Sequence, residues 1–544
     1  MSNSPADDPI KHVVVLVLEN HSFDQMLGCF KETDPDVDGV SPAAPGENRD
    51  PSGVIYRQAP TTERQMMFDP HHELEHVQVQ LEGGNAGFVK DFVASYPDSS
   101  EETRGFIMGY FPRGFLPALH ALARDFTICD RWFASVPGPT WPNRFFALTG
   151  TSNGRVNMPH DGTHNSDLAG YFQQDQVTVF DRLGEKGRHW KIYFHDIPQS
   201  WALTRQRRPE NAARYFYIDE FFGDCRGVAE EFPEFSLIEP DFMGVTENDD
   251  HPPHDVMKAE KLIADVYNAI GANDALWQST LLVIFYDEHG GFYDRVSPPA
   301  AIPPDAHHQE YGFDRLGVRV PALLISPWVG RRVEHTLFDH TSLLKYLIEK
   351  WDLGPLGDRA QQANSIGTAI AKTARDPAGM IARIDITIDQ LTAPDPEREE
   401  AAWSMASEHH AALQHLGQWL WARIDEGAPR AVVGIARGIE ALKQGLDWLL
   451  HRLRHQSAAL QVTIAEPDKL TRKSARTRDQ VARYMMRRKV QAVPALAARI
   501  RNRQLGDAQR AHAVHTLALL TRRPLHRERN RIDAASEWLK KVGQ

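Results

Sequence analysis

Short aliphatic runs that end abruptly in acidic or amide side chains mark this sequence. Val13 to Leu18 gives way to Glu19-Asn20, and Leu281 to Tyr286 gives way to Asp287-Glu288. Runs of this length, apolar on both faces, predict strands buried on both sides. Pro321 to Ile325 reads the same way, and Trp190 to Phe194 more weakly. Between them, apolar residues at three- and four-residue spacing predict helices over Val256 to Ile270 and Ser342 to Trp351. The alternation predicts an α/β fold, a central, mostly parallel sheet flanked by helices. Residues 33–72 and 295–313, rich in Pro, Gly and His, predict functional loops. Downstream, residues 431–453 and 473–520 keep a helical period and carry no catalytic signature, which predicts a C-terminal all-helical domain.

Charge sharpens that division. The chain of 544 residues carries a formal charge of −12, but residues 401–544 hold 26 Lys and Arg against 12 Asp and Glu. The first 400 residues are left with 35 against 61. Single cores stop growing at roughly 250–300 residues, so two domains are expected. The polar stretch TAPDPEREE supplies the boundary, giving a catalytic domain over 1–392 and a basic helical domain over 397–544.

Other features narrow the class. A hydrophobic content of 42% with 25% charged residues fits a globular protein. No run approaches the roughly 18 apolar residues that span a bilayer. The start, MSNSPADDPI, lacks the basic and apolar regions of a secretory signal, so the expected location is cytoplasmic, or outside by a route without a cleavable leader. Cys29, Cys129 and Cys225 match neither a disulfide framework nor a zinc motif, and free buried thiols are expected.

Polar residues of buried parallel strands gather where the strands emerge, the edge at which α/β sheets bind ligands. Two such exits in one sheet would bring Glu19, Asn20, Asp287 and Glu288 together. Three carboxylates in a dry cleft repel one another and take up protons unless a cation holds them, which points to one divalent metal ion. Gly290-Gly291 would allow close backbone approach there. A third stretch, SVPGPTWPNRFFALTGTSNG, predicts a helix through Asn143 to Thr149, with Pro142 in its first turn and a stop at Gly150. Thr140 then lies just before a helix N-terminus, where free N–H groups favour an ionised hydroxyl and a bound phosphate. Asn143, one turn along, could donate to a phosphate oxygen; a plain helix cap is the competing reading of Thr140.

Together, ENHSFDQMLG, DPHHE, VPGPTWPNRFFALTGT, NDDHPPHDV and YDEHGGFYDRVSPP resemble the bacterial phosphoesterase family that contains non-haemolytic phospholipases C and a class of acid phosphatases, within the alkaline-phosphatase-like superfamily. The likeness runs from residue 11 to about 370 and includes the closing run His340 to Ile366. It implies a metal-dependent phosphoester hydrolase with one ion held by Glu19, Asn20, Asp287 and Glu288, and with Thr140 as ligand and nucleophile. It also implies phosphate contacts from His72, Asn143 and His251, with His195 a looser match. His21 and Arg295 depart from the usual residues and are expected to alter the rim. Hard oxygen ligands favour Ca²⁺, Mg²⁺ or Mn²⁺, and Zn²⁺ stays in the set because carboxylates also bind it.

The expected chemistry is in-line attack by Thr140, a covalent phosphothreonine and retention at phosphorus, on phospholipid or a related phosphodiester. An acid phosphatase acting on monoesters is the alternative within the class. An inactive shell serving as a binding module is the alternative outside it, but no ligand or nucleophile is missing. HELEH, residues 72–76, formally matches the zinc-protease motif with both histidines on one helical face, yet Val79 and Glu82 occupy the glycine and histidine positions of the longer form. The basic C-terminal helices, with Trp403, Trp419, Trp421, Trp448 and Trp538, could dock on anionic lipid; nucleic acid is not the expected partner.

Overall fold

The computed structural model describes residues 8–159, 170–242, 247–307, 311–391 and 407–421. Eight strands form the main sheet: β1 (His12–Leu18), β2 (Thr127–Cys129), β3 (Trp190–Phe194), β4 (Tyr215–Tyr217), β5 (Phe235–Glu239), β6 (Thr280–Tyr286), β7 (Ala322–Ile325) and β8 (Arg332–Glu334). Their order across it is β8-β2-β7-β6-β1-β5-β3-β4. Strands β6, β1, β5, β3 and β4 run parallel, whereas β7 is antiparallel to both β6 and β2. The sheet is therefore mostly parallel, as expected, and the predicted strand at Pro321 begins one residue later, because proline has no N–H for the ladder.

Every residue of β1 and β6 is buried, which is why both are apolar throughout and not alternating. They pair in register from His12 with Thr280 to Leu18 with Tyr286. Glu19 and Asp287 thus leave the sheet side by side at its carboxyl edge.

Five helices matter for the site: α1 (Leu74–Gln80), α2 (Thr140–Thr149), α3 (Met257–Gly271), α4 (His340–Trp351) and α5 (Glu408–Trp421). Helix α2 ends on Gly150 at φ 79°, the left-handed stop the sequence predicts. Glycine is required there, since a Cβ would collide with the carbonyl of Leu356. The three cysteines are buried free thiols. Among the described residues, no helix is long and apolar enough to cross a membrane.

The chain divides into two compact units, Met1–Trp419 with Glu426–Val432, and Leu420–Asp425 with Val433–Gln544. The division falls later than the polar stretch at 392–400. Most of helix α5, assigned from charge to the basic domain, belongs to the first unit, because burial of Ala412, Leu413 and Leu416 outweighs the polar composition around it. The predicted helices at 431–453 and 473–520 lie outside the described residues.

A buried ion network clamps the two motif loops that leave β1 and β6. Arg319 donates to Asp24 at 2.9 Å and to Asp294 at 3.0 Å, with all three side chains fully buried. Its remaining N–H groups reach the carbonyls of Asp38 and Asp130. Arg295 joins the network at Asp38, and its backbone N–H donates to Asp24. His21 is sealed beneath the site, its ring stacked on Phe292 and its nitrogens on Gln25 and the Asp250 carbonyl. His21 and Arg295, the two departures from the expected residues, thus both make structural contacts. Removing Arg319 would strand two buried carboxylates, so Arg319→Leu is expected to cost about 3–5 kcal/mol in urea unfolding.

Candidate active site

The site is built where β1 and β6 end. Asn20 adopts a left-handed turn at φ 62°, a conformation that Asn tolerates better than most residues. That turn fits against Gly290, where a Cβ would fall inside contact of the Asn20 carbonyl. The backbones are stitched together: Asp287 N–H donates to Leu18 O at 3.0 Å, and His21 N–H to Glu288 O at 3.1 Å. Glu19, Asn20, Asp287 and Glu288 consequently share one pocket, all fully buried.

Arg144, one turn along α2 from Thr140, ties the two strand exits together through Glu19 and Asp287. Its Nε donates to Asp287 Oδ2 at 2.9 Å and its Nη2 lies 3.0 Å from Glu19 Oε1. Gln199 adds a hydrogen bond to Glu19 Oε1 at 2.7 Å. His340, the first residue of α4, fixes the same loop through a 2.6 Å contact with the Asp287 carbonyl. His72 stands over the other side, with Nδ1 on Pro70 O at 2.9 Å and Nε2 3.3 Å from Asn20 Nδ2 and 3.6 Å from Glu288 Oε1.

Positive charge is scarce in this pocket. Burial pushes the Asp287 carboxyl up to about 6 against the pull of Arg144, and Glu288 up to about 8 against that of His72. Glu19 is raised by burial as well. Burial works against a charged His72, but the carboxylates of Glu288, Asp69 and Glu73 win and carry it to about 10. His251 goes the other way, to about 3, because burial dominates and Glu19 offsets only part of it.

Glu19 Oε2, Asn20 Oδ1 and Glu288 Oε1 are buried oxygens with no hydrogen-bond donor. Three of the five expected ligands thus carry an oxygen that accepts no hydrogen bond, although His72 Nε2 stands 3.6 Å from Glu288 Oε1 and His409 Nδ1 stands 2.8 Å from Glu19 Oε2, and Asp287 Oδ1 accepts only from the backbone N–H groups of Glu288 and Asn20. A divalent cation supplies the charge these oxygens lack, so the donor set fits a hard metal ion.

Thr140 is the first residue of α2, and Pro139 occupies the cap position, so the threonine does not cap the helix. It is buried, and it stands at the end of the helix where free N–H groups point outward. Asn143 does not face a ligand. Its Oδ1 accepts from Val136 N–H at 3.0 Å, and its Nδ2 donates to the carbonyls of Val136, Gly138 and Pro139. The amide is fully used in holding the loop that presents Thr140, which replaces the phosphate-donor role expected for it.

His251 lies 6.4 Å ring to ring from His72, and its Nε2 is 4.0 Å from Asp69 Oδ1. His195 follows β3, two strands away from β1, with Nδ1 on the Glu239 carbonyl at 3.2 Å. The structure thus joins His72 and His251 to the pocket and sets His195 beside its flank. HELEH is split: α1 begins only at Leu74, so His72 precedes the helix and the two histidines share no helical face. His76 turns instead to Asp91 at 2.8 Å. Nearby, His71, Glu73 and His76 form a second acidic-imidazole group, but the two rings stack 4.4 Å apart at 15°, so their lone pairs run side by side.

Residues 10–354 match the Phosphoesterase family. The chain belongs to that family. Non-specific phospholipases C3 and C1 of Arabidopsis thaliana are 35% and 33% identical over 59% and 62% of this chain. The chain spans just under two thirds of the length of these plant relatives, 64% and 66%. Phospholipase C B of Mycobacterium tuberculosis is 29% identical over 62% of this chain and 72% of its own. A solved protein of the alkaline phosphatase superfamily from Vibrio parahaemolyticus shows a TM-score of 0.27 at 10% identity, over 56% of this chain and 82% of that one. Likeness that partial carries no functional weight.

Arg144, Gln199, His340 and His409 are site residues that the sequence reading missed. Arg144 was legible in PTWPNR, four residues after Thr140 and so on its helical face. Gln199 and His409 sit in segments without a motif.

The raised carboxyls set a pH dependence for the protein kept free of divalent ions. A group protonated more readily folded than unfolded stabilises below its unfolded value and loses that contribution as pH rises through its folded one. Glu288 and His72 both behave so, and above pH 6.5 the buried neutral histidines no longer oppose them. In chelator, thermal stability should fall between pH 6.5 and 8, and added Mn²⁺ should reverse the fall; a melting temperature that rises over this range would contradict the assignment.

Proposed function

We propose that this protein hydrolyses phosphoesters through a covalent phosphothreonine at Thr140, beside a single divalent cation at Glu19, Asn20, Asp287 and Glu288. The observation that carries the reading is the Arg144 bridge: one residue of α2 grips a carboxylate from each strand exit, Glu19 and Asp287, and Thr140 stands one turn before it on the same helix. When bound, the ion would compensate the carboxylates and lower the pKa of the Thr140 hydroxyl.

The protein's own groups supply the rest. Arg144 and the Asn143-stapled loop fix the start of α2, so that the threonine oxygen and the free N–H groups act from a set position. The Thr140 hydroxyl gives its proton to solvent, and its oxygen forms a bond to phosphorus as the bond to the leaving alcohol breaks. His72, cationic among its carboxylates, gives the alcohol its proton. His72, now neutral, takes a proton from the water that cleaves the phosphothreonine, and the departing Thr140 oxygen regains a proton from solvent, with neutral His251 beside the reacting group. Two in-line displacements leave configuration at phosphorus retained.

The phospholipase C relatives favour a phosphodiester of the phospholipid class as substrate, and the test is a panel of phosphatidylcholine, an aryl phosphodiester and an aryl phosphomonoester. Release of diacylglycerol is expected; cleavage of the monoester alone would assign the protein to the phosphatases. Thr140→Ala should lower turnover at least a thousandfold on every accepted substrate and leave the urea midpoint unchanged, and turnover near the wild-type rate would remove the threonine from the mechanism.

A further inference from the structure

We infer that helix α5 completes the active centre, with His409 acting as a positioning residue that fixes the Glu19 carboxylate for the cation. The inference rests on the proposed cation site and extends it to a segment that lies beyond residues 10–354, where the family match ends.

His409 Nδ1 lies 2.8 Å from Glu19 Oε2, the oxygen that has no hydrogen-bond donor in line with it. On the far side of the ring, His409 Nε2 stands 2.6 Å from Gln199 Nε2, and the same amide nitrogen reaches Glu19 Oε1 at 2.7 Å. Glu19, Gln199 and His409 therefore form a ring of contacts, with Oε1 facing Gln199 and Arg144 and Oε2 facing His409. An amide that donates to the Nε2 lone pair leaves the ring proton on Nδ1, directed to the glutamate side. Rotation of the carboxylate would break one side of the ring of contacts, so its plane is preset before any ion arrives.

The helix is held firmly enough for that task. Its inward face repeats at helical spacing through His409, Ala412, Leu413 and Leu416, all buried. Beside His409, His410 Nε2 lies 3.1 Å from the Phe242 carbonyl and 3.2 Å from Glu247 Oε1. At the other end Trp419 lies against Phe172 and under the guanidinium of Arg207 at 4.4 Å. Asp249, whose backbone carbonyl accepts from Glu19 N–H, also has a carboxylate oxygen within 4.8 Å of the Glu19 and His409 ligand atoms. A segment outside the matched region thus reaches Glu19, the first proposed ligand at the exit of β1.

Partners that orient a metal ligand typically contribute 10–100-fold to metal affinity. Calorimetric titration of the full chain with Mn²⁺ should show about tenfold weaker binding for His409→Ala. His409→Asn, whose amide N–H can occupy the place of Nδ1–H, should recover part of the loss. Asp287→Asn serves as the reference: it should weaken Mn²⁺ binding in any case if the cation site is as proposed. Loss with Asp287→Asn but affinity within twofold of wild type for His409→Ala would overturn the role of α5 alone. No change with Asp287→Asn would overturn the cation site itself. Matching urea midpoints for the His409 variants exclude a general loss of fold.

Discussion

Carboxylates at the ends of two adjacent parallel strands are the constraint on which this molecule depends. Glu19 and Asp287 must leave water completely, and each buried charge costs several kcal/mol even after relaxation. One guanidinium, that of Arg144, lies between them, and one oxygen each of Glu19, Asn20 and Glu288 accepts no hydrogen bond. A hydrophobic sheet edge would avoid the cost. The proposed cation would offset it, and a phosphoryl group would be brought against the same charge.

The surrounding architecture serves to hold that socket rigid. Parallel pairing of β1 with β6 in register places the two acidic exits side by side, and the left-handed turn at Asn20 against Gly290 brings the backbones close enough to exchange hydrogen bonds. Arg319 clamps the loops one layer further out, through the Asp24 and Asp294 that follow each acidic pair. Asn143 secures the approach to α2. The proposed nucleophile, the proposed ligands and their supports therefore sit on strand ends and helix starts, where small displacements are resisted by buried polar contacts.

Much of this was legible in the sequence because chemistry and fold share a local signal there. An aliphatic run that breaks into Glu-Asn or Asp-Glu announces both a buried strand and its functional end, and the Gly-Gly after Glu288 announces close approach. The loop contacts of Asn143 were not legible because a side-chain amide one turn into a helix can face either a ligand or its own loop, and spacing does not distinguish them. HELEH, set aside as a protease motif on sequence, also lacks the helical face that motif needs, because His72 precedes the helix. Charge composition averages over many residues, whereas the docking of α5 is decided by a few apolar positions and one histidine. Gln199 and His409 had no signal at all, since their importance arises only from contacts across the fold.

Crystals of the full chain grown with Mn²⁺ and measured for anomalous scattering test the central claim most directly. The account predicts one strong peak within bonding distance, about 2.0–2.3 Å, of Glu19, Asn20, Asp287 and Glu288 oxygens and of Thr140 Oγ. A fully loaded crystal with no peak in this pocket, or with the ion bound away from Thr140, would contradict it.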